Sequence, residues 1–345
     1  MKRLLFFIVS LVFLTVFGVV SAELVLEAET YGSLTAAVAE IPADAGVVRI
    51  ILPQALAGAE DAVISLPSDR GIEKLEILLS DDVDSANVTG IEKICANGVP
   101  LLIGSGIHMD DTSIYGGSCV SGIDAVLERS SVEVNGVVGF VFGGGLAENG
   151  GSSTVGETSV TIGKDALVYY EVFGGGHAAG NGSTAAVESS SVNFRGETDY
   201  LLGGSYAEAG GKASCDQTSL TVGEEGKVAV ALFAGGSAAD PDSTSTVGNA
   251  LAIISGTAHW AFPGDFAFSG GTTSLTGAGR VEFLEGSSSV NAYLGSFASD
   301  PGSSAEINTA ELKSCGSIET VTKRSLSTDG GRARTLIPAL FPCDE

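Results

Sequence analysis

Basic residues are scarce in this chain. Of its 345 residues only 17 are Lys or Arg, against 42 Asp or Glu, so the formal net charge is −25. Nucleic acids and anionic lipids both require a cationic surface on a protein partner. We therefore expect neither nucleic acid nor an anionic lipid surface as a partner.

Histidine and cysteine are also few, with three and five residues, and no CxxC pair is present. An odd count of widely spaced cysteines does not indicate a metal or redox site. No metal and no cofactor is predicted from them. In an oxidising compartment Cys315 could pair with Cys343 and Cys95 with Cys119, but spacing alone does not determine connectivity.

The first 22 residues differ from the rest of the chain. A basic head of three residues precedes an apolar run from Leu4 to Val20, which small residues close before Glu23. This order predicts a signal peptide, residues 1–22, and an uncleaved membrane anchor is the alternative. We expect a secreted or cell-surface protein with no membrane span in the mature chain. Its formal charge without Lys2 and Arg3 is −27, since 15 basic residues then face 42 acidic ones.

The strongest pattern is an internal repeat of about 30 residues. Its first block is an apolar pair followed by glycines, and the third positions of its copies, 143, 174, 203 and 234, lie 31, 29 and 31 residues apart. The copies read VFGGGLA at 141–147, VFGGGHA at 172–178, LLGGSYA at 201–207 and LFAGGSA at 232–238. Glycine in the middle of each copy indicates a chain corner.

A second block lies between the copies of the first. It alternates polar and apolar residues, as half-buried strands do, and a glycine follows within two residues each time. Its copies are Ser131–Val134, Ser159–Ile162, Ser191–Phe194 and Ser219–Val222. We expect Val132, Val160, Val192 and Leu220 to stack inside, with the serines outside. Each coil would hold two strands, a glycine corner and a polar loop. For the second strand the sequence does not decide which residues face inward, because positions 141 and 142 are both apolar.

Helical stacking and a propeller are the rival repeat architectures. Glycine interrupts every segment, which disfavours helices, and a propeller blade needs about 40 residues and four strands. A stack of β-coils is therefore preferred. Residues 33–41 form the one predicted helix, with Ser33 as N-cap, covering an open strand edge at the first coil.

The chain is divided accordingly into four predicted parts. These are the signal peptide at 1–22, an N-terminal cap with irregular coils at 23–125, the Gly-rich repeat region at 126–310, and a C-terminal cap or tail at 311–345. The strands predicted before the repeats are 47–52, 63–66, 75–79 and 101–103.

The short helix, apolar strands such as Val63-Ile64-Ser65-Leu66 and the Gly-Gly coils resemble the pectin-lyase-like, right-handed parallel β-helix superfamily. The Phe-Gly-Gly-Gly copies are most similar to adhesin-like surface repeat proteins of gut bacteria. The resemblance covers roughly residues 30–310. It implies an all-β, single-stranded right-handed parallel β-helix (β-solenoid) with about 30-residue coils and a short N-terminal capping helix. It also implies a surface protein without a defined ligand.

Enzymes with this fold mostly cleave polysaccharides. The polygalacturonase pattern combines Asn-Thr-Asp, Asp-Asp, Gly-His-Gly and Arg-Ile-Lys, and this chain offers only Asp110-Asp111 and Gly176-His177-Ala178. The position of His177 holds Leu146 and Tyr206 in other copies, which favours a surface loop over a catalytic histidine. Asp110 and Asp111 beside His108 remain the weak catalytic candidates, with a solvated turn as the alternative interpretation. Neighbours on a strand point to opposite faces, so at most one aspartate should face a given cleft.

Lyases that act on uronates need basic residues and usually Ca²⁺. Few bases occur in the repeats, and the calcium-roll nonapeptide is absent, although the acidic balance is compatible with Ca²⁺. Aromatic residues are the remaining functional signal, since rings spaced along a solenoid can stack on sugar faces. The ligand-binding candidates are Tyr169, Tyr170, Tyr206 and Trp260, accompanied by Tyr200 and His259; the alternative is that about half of these rings are buried.

We therefore expect a non-enzymatic, adhesin-like binding protein whose partner is an extracellular glycan or a host or cell-surface component. A secreted polysaccharide lyase or glycoside hydrolase is the alternative. A structural spacer in a surface layer is the second alternative.

Overall fold

A computed structural model describes residues 23–56 and 58–343, so the predicted signal peptide lies outside the described residues. Within them the chain is an all-β parallel solenoid of about 10 coils, with roughly 29 residues between coils. The solenoid prediction is confirmed. No helix in this part of the chain is long and apolar enough to cross a membrane.

Three parallel sheets, A, B and C, form the walls of the solenoid. Sheet A contains β1 (Glu23–Glu27), β2 (Gly46–Leu52), β4 (Ile72–Leu79), β7 (Leu101–Ile103), β10 (Asp124–Val134), β13 (Ser152–Ile162), β16 (Thr184–Phe194), β19 (Lys212–Val222), β22 (Thr244–Ile254), β25 (Thr272–Phe283), β28 (Ser304–Ser314) and β31 (Arg332–Pro342).

Sheet B contains β3 (Val63–Ser65), β5 (Ala86–Asn87), β6 (Lys93–Cys95), β8 (Ile107–Tyr115), β11 (Val137–Phe142), β14 (Leu167–Phe173), β17 (Glu197–Leu202), β20 (Lys227–Phe233), β23 (Thr257–Phe262), β26 (Ser288–Tyr293) and β29 (Ser317–Thr322). Sheet C contains β9 (Cys119–Ser121), β12 (Leu146–Glu148), β15 (His177–Ala179), β18 (Tyr206–Glu208), β21 (Ser237–Ala239), β24 (Phe266–Phe268), β27 (Phe297–Ala298) and β30 (Leu326–Ser327).

Each full coil has three strands where the sequence predicted two. The missed strand is the short one of sheet C, which was assigned to the polar loop after the glycine corner. Three residues such as Leu146–Glu148 are too few to show an alternation of polar and apolar positions. The apolar pairs at 141–142 and 172–173 are the last residues of their sheet B strands, β11 and β14. The glycines that follow turn the chain into sheet C.

The predicted interior ladders are present. Val132 pairs in register with Val160, Val160 with Val192 and Val192 with Leu220, and all four side chains are buried in the main core. Ser159, Ser191 and Ser219 of the same strands face outward and are exposed. Each buried aliphatic side chain stabilises the fold by about 1.5–3 kcal/mol, so the ladder accounts for the stacking.

Buried hydroxyl groups satisfy the carbonyl groups of the glycine corners. Ser130, Thr158, Ser190 and Thr218 form one inward column of sheet A. Their hydroxyls donate to the carbonyls of residues 143, 174, 203 and 234 at 2.5–2.6 Å. A buried carbonyl needs such a donor. At Gly143 a Cβ atom would lie 2.3 Å from the oxygen of Gly174, so the close approach of successive corners requires glycine there.

The N-terminal end of the solenoid is closed by two short helices, α1 (Ala28–Tyr31) and α2 (Leu34–Ala39). The prediction of Ser33 as N-cap is confirmed, because its Oγ accepts from the Ala36 N–H at 3.0 Å. Leu34 and Val38 are buried in the main core. The helix thus covers the end of the core, while β1, and not a helix, forms the edge of sheet A.

Both suggested disulfides form. Cys95 is bonded to Cys119 and Cys315 to Cys343, and Cys215 is a buried free cysteine. The residues after 310 form strands β29, β30 and β31, so they continue the coils up to the second disulfide. The division of the chain at residues 125 and 310 stays a prediction.

Asp265 is a buried carboxyl group at the corner before β24. Its Oδ1 accepts a hydrogen bond from the Gly236 N–H at 2.8 Å. Two coils earlier, the Oγ of Ser205 accepts the equivalent hydrogen bond from the Gly176 N–H. Its Oδ2 has no hydrogen-bond partner. Complete burial raises the pKa of Asp265 to about 8, because a charged form without compensating contacts is unfavourable there.

We predict that Asp265→Ser stabilises the protein at neutral and higher pH. The unfolded chain ionises this group near pH 3.8 and the folded chain only near 8, so the free energy of unfolding of the wild type falls as pH rises between these values. Serine keeps the acceptor and removes the titration. We expect a gain of about 1–3 kcal/mol at pH 8 and little difference at pH 4, measured by urea unfolding. Asp165→Ser at an exposed turn is the control. A gain that does not vary with pH would contradict the buried titration.

Candidate functional site

A second set of buried side chains lies outside the main core, where sheets B and C meet. Phe142 ends β11 next to Val141, and the two belong to separate apolar clusters. Because neighbours on a strand point to opposite faces, Val141 faces the interior and Phe142 faces outward. Both side chains are buried, which explains why the sequence alone does not show which of them faces the interior.

We call the outward columns at this corner the aromatic strip. One column consists of residues at the ends of the sheet B strands, and the other consists of the first residues of the sheet C strands. The sheet B column is Tyr115, Phe142, Phe173, Leu202, Phe233, Phe262 and Tyr293. The sheet C column is Cys119, Leu146, His177, Tyr206, Ser237, Phe266 and Phe297.

Rings in the strip are stacked from coil to coil. The ring centroids of Phe142 lie 4.8 Å from Tyr115 and 4.9 Å from Phe173. Further along, Phe262 lies 4.7 Å from Phe233 and 4.5 Å from Tyr293. These distances match the spacing of neighbouring strands, about 4.7–4.9 Å, so strand pairing itself positions the rings.

All four predicted ligand-binding residues lie in or beside the strip. Tyr206 belongs to the sheet C column and is half-buried. Trp260 makes edge contacts with Tyr293 and Phe297, at 6.1 and 6.4 Å between centroids. Tyr170 stacks on Phe140 at 4.7 Å, and Phe140 lies 6.4 Å from Phe142.

Tyr169 and Tyr170 are both exposed, by 42% and 45%, although they are neighbours on one strand. A register shift in β14 between Val168 and Glu171 causes this. A bulge inserts an extra residue and lets two consecutive side chains face the same side. The bulge therefore adds two accessible tyrosines to the edge of the strip.

A polar network crosses the strip at His177. Its Nδ1 lies 3.1 Å from the Tyr115 hydroxyl, and its Nε2 lies 3.0 Å from Oε1 of Glu208. The Tyr206 hydroxyl donates to Oε2 of the same carboxylate at 3.0 Å. The hydrogen bond from His177 holds the pKa of Glu208 below its ordinary value, and burial raises the pKa of Tyr206. The interpretation of His177 as a surface-loop residue is wrong, since it is a buried residue of strand β15.

Carboxylates dominate the charge around this network. Burial, and then the negative charges of Glu208 and Asp199, raise the pKa of Glu171 to about 7. Glu171 pairs in register with Phe140 and Tyr200 on the outer face of sheet B. Glu148 forms an ion pair with Lys93 at 3.1 Å. The strip therefore combines apolar ring faces with hydrogen-bonding acids, which suits a neutral polar ligand better than a polyanion.

The second candidate cluster is His108, Asp110 and Asp111 in β8. These residues form a bulged strand and not the solvated turn of the alternative interpretation. Both aspartates are exposed and line one open pocket of about 350 Å³ together with Asn87 and His108. The expectation that at most one aspartate faces a cleft is wrong, because the bulge puts both on the outer side. His108 Nδ1 lies 3.9 Å from Asp110 Oδ1.

In the part of the chain covered by the structure, no group of three or more His, Cys, Asp or Glu side chains could hold a metal ion. The residues that sequence reasoning missed are the phenylalanines of the strip and Glu171 and Glu208. A signal for them was present. Paired apolar residues before each glycine corner, such as Val141-Phe142 and Val172-Phe173, indicate a strand buried on both faces.

Comparisons of the chain with protein-family models, with curated proteins and with solved structures gave no match.

We predict that the Glu171 carboxyl titrates near pH 7 and that Glu208→Gln lowers its pKa. Removing the negative charge of Glu208, which raises the pKa of Glu171 more than Asp199 does, makes ionisation of Glu171 easier, while burial keeps its pKa above the ordinary value. Carbon-13 NMR of the labelled carboxyl carbons measures this. Glu224→Gln, at an exposed turn, is the control and leaves Glu171 unchanged. An ordinary Glu171 pKa in the wild type, or no response to Glu208→Gln, would contradict the arrangement.

Proposed function

We propose that the protein is a non-enzymatic extracellular or cell-surface binding protein whose aromatic strip binds a neutral, extended glycan. The observation that carries this proposal is the pair of adjoining, mostly aromatic columns at the corner of sheets B and C, with accessible rings at their margin. Stacked strands repeat every 4.7–4.9 Å, close to the length of one sugar residue in an extended polysaccharide. The accessible rings at the margin of the buried column, among them Tyr170 and Trp260, therefore lie along a surface with the same repeat.

Access and charge support the same ligand class. Tyr169, Tyr170, Tyr206 and Trp260 keep part of their ring surface accessible, and aromatic faces bind the apolar faces of sugars. Glu171 and Glu208 can hydrogen-bond sugar hydroxyls, and their charge disfavours uronic or sulfated chains. The predicted signal peptide supports an extracellular role for this binding, and so does the resemblance of the repeats to adhesin-like surface proteins.

Hydrolysis of a polysaccharide is the second candidate function. The observation in its favour is the pocket where Asp110 and Asp111 meet beside His108, since glycosidases use two carboxyl groups. A pectin-lyase-like ancestry would be consistent with it. A purely structural role in a surface layer is the remaining alternative, and it requires neither binding nor cleavage.

We predict that Tyr170→Ala and Trp260→Ala each weaken binding to a neutral polysaccharide by up to about tenfold, because each removes one stacking ring worth about 0.5–1.5 kcal/mol. A glycan array identifies the ligand, and calorimetry measures the affinities. Val126→Ala, an exposed apolar residue of sheet A, is the control and keeps wild-type affinity. Equal affinity of the ring variants and the control would exclude the strip as the site.

The enzymatic alternative makes a separate prediction. If the Asp110 pocket is catalytic, the protein releases new reducing ends from a polysaccharide, and Asp110→Asn with Asp111→Asn abolishes the release while binding at the strip persists. Binding without release favours the binding protein. Neither binding nor release favours the structural role.

A further inference from the structure

The coils before β9 contain strands of sheets A and B only, within the described part of the chain. Sheet C begins at β9, which pairs with β12 of the next coil. In sheet A, β10 pairs with β13 over its whole length, but with β7 only through Val132–Val134. The first part of β10 therefore has no strand partner on the side of the preceding coils. We call residues 123–127 the open edge.

Backbone groups of the open edge point away from the next coil. The Ser152 N–H donates to the Ile123 carbonyl at 3.0 Å, so Ile123 bonds forward, to β13. Successive residues of a parallel strand bond to opposite sides. The N–H and C=O groups of Asp124 and Val126 therefore point backward, where none of the described residues pairs with them. An unpaired row of this kind is a template for another strand.

The side chains of the open edge are mostly apolar and accessible. Val126 is 77% and Ile123 is 65% exposed, more than any other large apolar side chain in the described residues. Leu127 is the first member of an inner column that continues through Val155 and Val187. It is only partly buried, whereas Val155 is fully buried. One more strand on the open edge would cover Leu127 as β10 covers Val155.

The open edge is short and preformed. At its far end the loop of residues 96–100 closes it, because a Cβ atom at Gly98 would lie 3.3 Å from a Leu127 methyl group and 3.2 Å from the Arg129 carbonyl oxygen. At its near end the disulfide between Cys95 and Cys119 joins β9 to the preceding coil. The edge therefore has room for a strand of about five residues, and its rigidity lowers the cost of binding one.

The surroundings of the open edge are acidic. Four carboxylates and one guanidinium lie on β10 or line the open hollow beside Val126, a formal charge of −3. They are Asp124, Glu128, Glu157, Glu188 and Arg129. Glu148, which pairs in register with Ser121, forms an ion pair with Lys93, and this pair adds no net charge. Charge complementarity therefore favours a partner strand that carries basic residues.

We propose that the open edge binds an extended, basic segment of a partner protein, which adds one strand to sheet A. The side chains of this segment alternate as those of β10 do. On the inner side, a small residue lies over Ala125 and an aliphatic residue over Leu127. On the outer side, an apolar residue lies over Val126, and basic residues lie beside Asp124 and Glu128. The sequence Lys-Ala-Val-Leu-Lys meets these requirements.

A second copy of this chain fits the open edge less well. Two copies that pair edge to edge in antiparallel fashion around Val126 place Asp124 of one copy opposite Glu128 of the other. Like charges directly opposite each other on neighbouring strands are destabilising. A basic segment meets the same two carboxylates with opposite charge. Its main-chain hydrogen bonds supply affinity, and its alternate side chains supply specificity.

Fluorescence anisotropy with the labelled peptide Lys-Ala-Val-Leu-Lys, blocked at both ends, tests the proposal on the full chain. We expect saturable binding that salt weakens. The peptide Lys-Lys-Ala-Leu-Val has the same composition and charge but the wrong alternation, so it should bind about tenfold more weakly. Equal affinity for the two peptides would mean attraction to the net charge of the chain alone and would overturn the proposal, as would no binding of either.

Val126→Pro tests the backbone contact. Proline removes the N–H that points to the open edge, and an edge strand tolerates it because this N–H has no partner among the described residues. We expect about tenfold weaker binding of the basic peptide and a native circular dichroism spectrum. Val126→Thr keeps the N–H and is the matched control, with affinity close to that of the wild type. A folded Val126→Pro variant that binds the peptide like the wild type would exclude strand addition.

Asp124→Lys with Glu128→Lys tests the charges. This variant should lose the basic peptide and gain Glu-Ala-Val-Leu-Glu, which the wild type binds weakly, each by about tenfold. Asp165→Lys with Glu224→Lys makes the same charge change at exposed turns and should keep the wild-type preference. A folded edge variant whose preference does not reverse would rule out the assigned carboxylates.

Sedimentation velocity of the protein without peptide tests the occupant. We expect no dimer that depends on the open edge. A wild-type dimer that Val126→Pro dissociates would show that a second copy occupies the edge, and the proposal would then be wrong. Glycan binding at the aromatic strip is a separate property and does not decide any of these measurements.

Discussion

The whole structure depends on the in-register stacking of coils at the distance of a β-ladder. Val132, Val160, Val192 and Leu220 can form one continuous column only if the corners between sheets also approach to this distance. At Gly143 and Gly174 any side chain would collide with the next corner. Glycine at the corners and aliphatic residues in the strands are therefore both required by the same close stacking. The close approach also removes the Gly174 carbonyl from water, and the buried Thr158 hydroxyl donates a hydrogen bond to it.

The same constraint creates the aromatic strip. Once successive coils are paired, any residue type repeated at one outward position is stacked at the strand spacing. Phenylalanine at positions 142, 173, 233 and 262 thus becomes a column of rings, and the angle between sheets B and C buries it. The rings at its margins, among them Tyr170 and Trp260, stay accessible. The strip is periodic because the fold is periodic, and this periodicity is the basis of the proposal that it binds an extended, repeating ligand.

Acidic and basic residues are unevenly distributed along the solenoid. The acidic groups near His177 disfavour a polyanion at the strip and support the proposal of a neutral glycan. Basic residues are few in the repeat region, whereas four of the 17 in the chain, Lys323, Arg324, Arg332 and Arg334, lie close together near its end.

The sequence by itself determined the coil period, the inward valine and leucine columns, the Ser33-capped helix and the aromatic character of the binding candidates. Each follows from local spacing, because alternation and glycine punctuation are properties of a few consecutive residues. Only the tertiary structure showed the third strand of each coil, since three residues carry no period. It also showed the bulges that expose Tyr169 beside Tyr170 and Asp110 beside Asp111. The contact of His177 with Tyr115 and Glu208 joins residues 62 and 31 positions apart, and such contacts exist only after the coils have stacked.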